Sequence, residues 1–322
     1  MATTSLYDLY ILDRADQYTG LIEEVTTLAP EYDAFAAHRR PGTWYKVAKR
    51  TSVPTVQFRN VNAGVVPSKS QYKSEIKEMF FLDAIINMDE AVWDADPETV
   101  GALWQLEVKG FIKSQAITIG AQTWYGTSAD STGFAGVRSQ LAFTTQATTG
   151  ASTTSAYLMW MDEQEGCRYD VGMDGTLAIS QPFRQQVTDP NAATKSFFAY
   201  VGNLKGWLGY NQMSNLSAFA VTGITNSSGS TYWLTDDKAS QLLAQIPIAR
   251  RNNLRWFMNR SAESYLNRSR STINVGIPSA TYVMGSMQPA GADGRPAFSP
   301  LPNQLAGYPI TLTDSILNSE TN

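Results

Sequence analysis

The apolar positions of this chain form one long stripe and several short ones. Between Asp96 and Tyr125, the residues Val100, Leu103, Trp104, Val108, Phe111, Ile112, Ala116 and Ile119 recur at intervals of three and four, which places them on one face of a helix. Its start is well marked: Asp96 can cap free N–H groups, Pro97 suits the first helical position, and Glu98 favours the positive end of the dipole. At 1.5 Å per residue such a helix is ~40 Å long. Gly101, Gly110 and Gly120 each cost roughly 1 kcal/mol relative to alanine in a helix interior, so tertiary packing or close backbone neighbours must hold it.

Shorter patterns flank this stripe. Leu21, Ile22, Val25 and Leu28 give Gly20–Leu28 a short amphipathic helix, ended by Ala29-Pro30, and its apolar side needs a neighbour to pack on. A second helix is expected at Asp236–Ile246, capped by Thr235 and stopped by Pro247, with Ala239, Leu242, Leu243 and Ile246 on one side. Ala156–Met161, Thr176–Ser180, Phe197–Val201, Ala218–Ile224 and Tyr308–Leu317 read as strands. Thr43–Val47 and Thr55–Phe58, separated by Pro54, read as a two-stranded projection that carries too few large apolar residues for a core of its own. Residues 130–155 are small and polar, which supports loops or weak strands. The fold class these elements imply is α+β.

Charge changes the picture of the projection. Arg39, Arg40, Lys46, Lys49, Arg50, Arg59, Lys69, Lys73 and Lys77 face a single acid, Glu75. Directly before the long helix, Asp83, Asp89, Glu90, Asp94, Asp96 and Glu98 form an acidic run with no lysine or arginine. A chain with a basic projection and an acidic patch is suited to head-to-tail association between identical subunits. A further arginine-rich stretch, 250–270, surrounds Trp256-Phe257-Met258.

Composition narrows the function. The 322 residues are 43% hydrophobic but only 17% charged, so the surface is unusually uncharged and reads as covered by something else. A net charge of −4 argues against a protein that coats nucleic acid tightly. No apolar run approaches the length of a membrane span, and the first twenty residues mix Asp8, Asp13 and Asp16 with their apolar positions, unlike an export signal. The single cysteine, Cys167, excludes an intramolecular disulfide framework and suits a reducing compartment, so the Asn-x-Ser/Thr matches at Asn215, Asn226, Asn259 and Asn267 carry no weight. Candidate chemistry is thin. His38 is the one histidine, Cys167 follows the acidic turn Asp162-Glu163-Gln164-Glu165 that would not activate a thiol, and Gly202, Gly206 and Gly209 do not match a dinucleotide fingerprint. Nothing singles out a catalytic group, a metal site or a cofactor, and the chain reads as a structural protein.

Several local motifs carry a resemblance. They are Leu28-Ala-Pro30 with Tyr32-Asp-Ala-Phe35, Gly42-Thr-Trp-Tyr45 leading to Pro54-Thr-Val-Gln-Phe-Arg59-Asn-Val-Asn62, and the long helix ending in Trp124-Tyr-Gly126. Phe134-Ala-Gly136-Val, Thr154-Ser-Ala-Tyr157-Leu-Met-Trp160, Phe257-Met-Asn259-Arg260 and Leu305-Ala-Gly307-Tyr-Pro309-Ile with Asp314-Ser-Ile-Leu-Asn318 follow in order. Together they resemble the major capsid proteins of tailed bacteriophages with the HK97-type fold, in the podovirus-like branch, over nearly the whole chain. The resemblance implies an N-terminal arm at 1–40, an extended loop at 41–80, a peripheral domain with the spine helix at 81–130, an axial domain with a β-rich insertion at 131–290, and a closing strand at 291–322. It also implies a virion protein, assembled in the host bacterial cytoplasm as pentamers and hexamers of an icosahedral shell around double-stranded DNA. Scaffold, portal and decoration proteins are its implied partners, and no membrane is involved. The interface candidates are then Arg39, Arg40, Lys46, Lys49, Arg50, Arg59 and Lys69 on one side and Asp83, Asp89, Glu90 and Asp94 on the other. The lysine–asparagine crosslink of some relatives matches no residue here. Two alternatives remain at this stage: an encapsulin-like nanocompartment shell and a soluble carbohydrate-acting enzyme.

Overall fold

A computed structural model of the chain describes residues 27–95, 97–148, 152–173, 178–189, 192–227, 229–274 and 303–320. The expected helix at Gly20–Leu28 lies almost entirely outside these residues, as does the Asp96 cap. A short helix α1 (Glu31–Ala34) leads into β1 (Ala36–Arg39), then the hairpin of β2 (Trp44–Ser52) and β3 (Gln71–Glu78). β4 (Phe80–Asp89), α2 (Glu90–Ala95) and the long α3 (Pro97–Tyr125) follow. Next come β5 (Phe143–Gln146), β6 (Thr154–Trp160), β7 (Cys167–Val171), β8 (Ala178–Ile179), β9 (Phe183–Asp189) and the 21-residue β10 (Ala192–Gln212). The chain continues with β11 (Ala218–Ile224), α4 (Asp236–Gln245), β12 (Leu254–Met258), α5 (Arg260–Asn274), β13 (Gln304–Leu305) and β14 (Tyr308–Leu312).

These strands make two six-stranded sheets and the separate hairpin. One sheet runs β1-β7-β10-β4, with β8 and β9 also paired to β10; the other runs β13-β14-β12-β6-β11-β5. β6 is buried along its whole length because it has a core on each face. Tyr157 and Met159 join Trp124, Tyr169 and Phe257 on one side, while Ala156, Leu158 and Trp160 join Trp256, Leu242 and Leu266 beneath α4 and α5 on the other.

The long helix appears where its period places it, but its support is not one stripe. Its first half buries Val100, Leu103 and Trp104 against Ile86 and Met88 of β4 and against β10. Its last turns bury Ile119 and Trp124 in a different core. Between the two, Ile112 is 51% exposed, because the buried face changes as the helix passes from one support to the next. Gly202 of β10 explains the close approach of the first half: a Cβ there would lie 2.6 Å from Cζ2 of Trp104. Gly120 does the same for the second half, where a Cβ would meet Ser315 and Glu31.

Glu31 pins that second half. Its buried carboxylate accepts from Trp124 Nε1 at 2.7 Å and from the Thr313 hydroxyl. Next to it, Leu28 and Asp314 exchange two hydrogen bonds of 2.8 and 2.9 Å. The C-terminal stretch is held likewise, since buried Glu320 accepts from Ser155 and, at 2.7 Å, from the Tyr125 hydroxyl. Asn259 donates to Thr154 Oγ1 and Asn318 Oδ1 at 2.8 Å.

Several expectations need correction. The partner of β2 is Gln71–Glu78 and not Thr55–Phe58, which lies in the irregular tip. Pro54 ends the first strand, and near the base of the tip its two sides are joined by Ser68, whose hydroxyl accepts from Thr55 N–H and donates to Thr55 C=O. The last strand stops at Leu312, because Thr313 and Ser315 turn toward Glu31. Phe197–Val201 is only the middle of β10, and β4, β7, β12 and α5 were not foreseen as elements. α4 matches its expected span to within one residue, with Thr235 Oγ1 accepting from Lys238 N–H.

Two outcomes follow from this packing. Trp104→Ala removes a ring wedged on Gly202 and should cost about 3–5 kcal/mol in chemical denaturation, whereas half-buried Phe111→Ala should cost clearly less. Equal losses at the two positions would contradict the two-support arrangement. Burial raises the Glu31 pKa, only partly offset by the bonds from Thr313 and Trp124. The folded state therefore binds this proton more readily than the unfolded chain. Its contribution is fully present below the ordinary carboxylate pKa and is lost as pH rises through the raised value. Glu31→Gln should thus be at least as stable as the parent at pH 7, with the difference closing on acidification; a large loss at pH 7 would show that the charge itself stabilises the site.

Candidate assembly interface

The basic hairpin divides into an anchored root and a bare tip. At the root, Tyr45 donates its hydroxyl hydrogen to Asp170, a fully buried carboxylate on β7. Asn211 Nδ2 donates to the same carboxylate at 2.8 Å, and Arg168 and Arg40 approach it at 3.3 and 3.7 Å. Arg168 also donates to the Tyr45 oxygen at 3.3 Å, and the Arg40 guanidinium lies 4.9 Å from the centre of the Tyr45 ring. Burial, and then the bond to anionic Asp170, push the Tyr45 phenol up to about 12. The phenol is therefore a committed donor, and the buried acid is matched by two guanidiniums and two neutral donors.

Further along the hairpin, Glu75 gathers three lysines: Lys49 at 2.6 Å, Lys73 at 3.4 Å and Lys77 at 3.6 Å. The hydrogen bond from Lys49 leads the effects that hold the Glu75 carboxyl below its usual range. Burial, then the nearby Lys49 charge, lower the pKa of Lys77. Lys49 also donates to Asn215 Oδ1 at 2.7 Å, tying the hairpin to the turn after β10. Arg50 packs on the Tyr72 ring, Arg59 donates to the Ala63 carbonyl at 2.8 Å, and Lys46 lines a cleft with His38 and Arg40. Arg39 and Lys69 are exposed. In the tip, Val56, Phe58 and Val61 are 91–107% exposed, and Val53 and Val66 are 70–72% exposed. So much apolar surface on a coreless loop marks a contact surface.

The acidic residues are less uniform than their sequence suggests. Asp83 is exposed on β4, in register with Lys205 of β10. Asp89 Oδ1 accepts from Ala91 N–H at 2.9 Å, at the start of α2. Glu90 makes a bidentate pair with Arg184 of β9, at 2.7 and 2.9 Å, and this pair lowers the glutamate pKa and raises that of the arginine. Asp94 is exposed beside it, while Asp96 lies outside the described residues. Arg184 escaped the sequence reading because it lies 94 positions from its partner. Phe81 and Trp207 also escaped: their rings pair across β4 and β10 at 5.2 Å and, with Ile85, leave an exposed apolar strip beside Asp83. The alternation Phe81, Asp83, Ile85 was the available signal.

Among the described residues no group of three or more His, Cys, Asp or Glu side chains is placed to hold a metal ion, and no helix is long and apolar enough to cross a membrane. The sequence matches the family described as Major capsid protein GP7 over residues 32–322. The chain belongs to that family. It is a shell-forming bacteriophage major capsid protein with the HK97-type fold, a structural component of the virion capsid, and the encapsulin reading is not favoured. Its fold is similar to that of a chain in the near-atomic resolution structure of bacteriophage Epsilon15, with 16% identity, a TM-score of 0.61, and coverage of 100% of this chain and 97% of that one. The capsid of bacteriophage JBD30 is also similar, at 10% identity and a TM-score of 0.47, covering 82% of this chain and 90% of that one. No curated protein sequence matches.

The root network makes a prediction for the capsid subunit. Tyr45→Phe leaves buried Asp170 short of one donor and should cost about 1–3 kcal/mol, seen as faster amide exchange in β2 and β3. Because folding raises the Tyr45 pKa, the contribution of its hydroxyl is fully present below pH 10 and fades as pH climbs through about 12. Unchanged exchange in the hairpin would show that the network does not anchor it.

Proposed function

We propose that these subunits assemble as pentamers and hexamers into an icosahedral shell around double-stranded DNA, in the cytoplasm of the bacterial host. In this reading residues 1–40 are the arm, 41–80 the extended loop, 81–130 the peripheral domain, 131–290 the axial domain and 291–322 the closing strand. The extended loop lies over a neighbouring subunit, with Arg50, Arg59 and Lys69 toward the neighbour's Asp83–Asp94 region and the tip valines and Phe58 on apolar surface such as Phe81, Ile85 and Trp207. Scaffold, portal and decoration proteins are the partners such a shell would take on.

The observation that carries this reading is the contrast within one hairpin. Its root is fixed by a buried network, and its tip exposes Val56, Phe58 and Val61 with no core of its own. A rigid root aims the tip, and apolar tip surface is stable in water only when another surface covers it. Exposed ion pairs contribute at most about 1 kcal/mol each, but a closed shell repeats them at every interface. Lys49 is already paired with Glu75 in its own hairpin, so the test leaves it alone.

Reversing Arg50 and Arg59 to Glu should impair shell formation while the subunit stays folded, and high salt should weaken early assembly of the parent. Arg59→Gln serves as the control for the Ala63 contact. If the double reversal closed normal shells with an unchanged salt response, seen by electron microscopy and light scattering, the loop's charge would be a solvated face.

A further inference from the structure

The hairpin leaves the subunit where β10 passes from pairing with β4 to pairing with β7. Residues 199–208 of β10 pair with β4 and residues 208–212 with β7, and the junction between β3 and β4 lies over Gly209. A Cβ on Gly209 would lie 2.4 Å from the Glu78 carbonyl oxygen and 3.2 Å from Met79 Cα, and these backbone atoms have no rotamer that clears the way. The φ of Gly209 is not positive, so its conformation does not demand glycine. Space alone excludes a side chain there.

Asp170 stands directly opposite Gly209 across the ladder of β7 and β10, so its carboxylate and the missing side chain point to the same face of the sheet. The hairpin root rests on that face at two points: the Glu78 backbone on Gly209, and the Tyr45 hydroxyl on Asp170. Met79 N–H donates to the Thr43 carbonyl at 2.8 Å and locks the two sides of the root together. Beyond the root the hairpin is undercut by an open cleft on each side, one between Lys77 and Gln212 and the other between Lys46 and Gln164. Lys49 reaches back to Asn215 on a long flexible stem.

We propose that Gly209 is the fulcrum that sets the angle at which the hairpin leaves the subunit, and with it the closure and size of the shell. The Asp170 bond is the clasp that holds the hairpin down on it. β10 is paired along both edges near this point, whereas β2 and β3 pair only with each other, so a side chain at 209 lifts the hairpin and leaves the sheet in place. Ordinary Cβ contact begins at 3.4 Å, so a methyl group must raise the Glu78 carbonyl by about 1 Å. With the second support about 5 Å away, that lift turns the hairpin by about 10°, and over the roughly 30 Å of a nine-residue strand the far end swings by about 5 Å. The consequence for the shell rests on the tip reaching a neighbouring subunit, whereas the angle is a property of the free subunit and is measured there.

Double electron–electron resonance on the free subunit tests the angle. One spin label sits on exposed Ser52→Cys at the end of β2 and the second on Lys109→Cys or Ile248→Cys, exposed on the body, while the native Cys167 is buried. Gly209→Ala should shift the mean distance to at least one body site by about 5 Å, whereas Ile86→Val, which removes a methyl group from the core beneath β4 away from the root, should shift neither. Unchanged distances in folded Gly209→Ala subunits would overturn the fulcrum. Should the alanine subunit not fold, Tyr45→Phe decides: with the Gly209 support intact the distances should broaden and keep their means, and a shifted mean would give the angle to the tyrosine bond instead. On assembly, Gly209→Ala should give open or wrongly sized particles in electron micrographs where Ile86→Val closes shells of the parent size. Parent-sized shells from subunits with a shifted hairpin would overturn the link to closure. The reversal of Arg50 and Arg59 keeps the two failures apart: if it leaves assembly intact, the reach to a neighbour is what fails, and the angle still stands or falls on the distances.

Discussion

The structure depends on how a 29-residue helix is held at two separate places. No single stripe of side chains can face two cores that lie on different sides of its axis, so α3 changes its buried face midway. At one end Trp104 lies where any side chain at position 202 would have to be, which makes that contact a backbone approach set by glycine. At the other end Gly120 admits Glu31 and Ser315, and the glutamate grips Trp124. β4 and β10 are held under the first half, and the segments around Glu31 and Ser315 under the second. The acidic segment beside its first turns and the stretch around Thr313 and Ser315 beside its last ones take their positions from this beam.

Buried polar groups do different work from the apolar cores. Glu31, Asp170 and Glu320 are almost fully buried, and each ties together parts of the chain that are far apart in sequence. Asp170 fixes the direction in which the hairpin leaves the subunit, and Glu31 and Glu320 fasten the C-terminal stretch. Removing one partner from such a group leaves a desolvated charge or dipole, so these sites specify geometry more than they add net stability. A shell protein needs that geometry, since a small angular error at a hairpin root grows with distance toward the tip.

The charge pattern seen along the chain is partly used up inside the subunit. Glu75 holds three of the hairpin's lysines, Asp170 takes Arg40, and Arg184 takes Glu90. What remains outward is a smaller and more apolar surface than the count of charges suggests, with Arg50, Arg59 and Lys69 among exposed valines and Asp83 beside Phe81 and Trp207. Family membership and the exposed tip agree on a subunit whose surface is meant to be covered by others.

The sequence by itself determined the features whose signal is local. The span of α3 followed from its period and from Pro97, α4 from its Thr235 cap, and β11 from its apolar run; the existence of a basic hairpin and the capsid resemblance were legible in the same way. Tertiary structure alone decided which face of α3 is buried, why position 202 is glycine, which segment completes the hairpin, and which acids are already paired. The reason is separation along the chain. Propensities and caps act over a few residues, whereas Tyr45 meets Asp170 across 125 positions and Glu31 meets Thr313 across 282. Such pairs exist only once the sheets have brought distant strands side by side, and no local pattern encodes them.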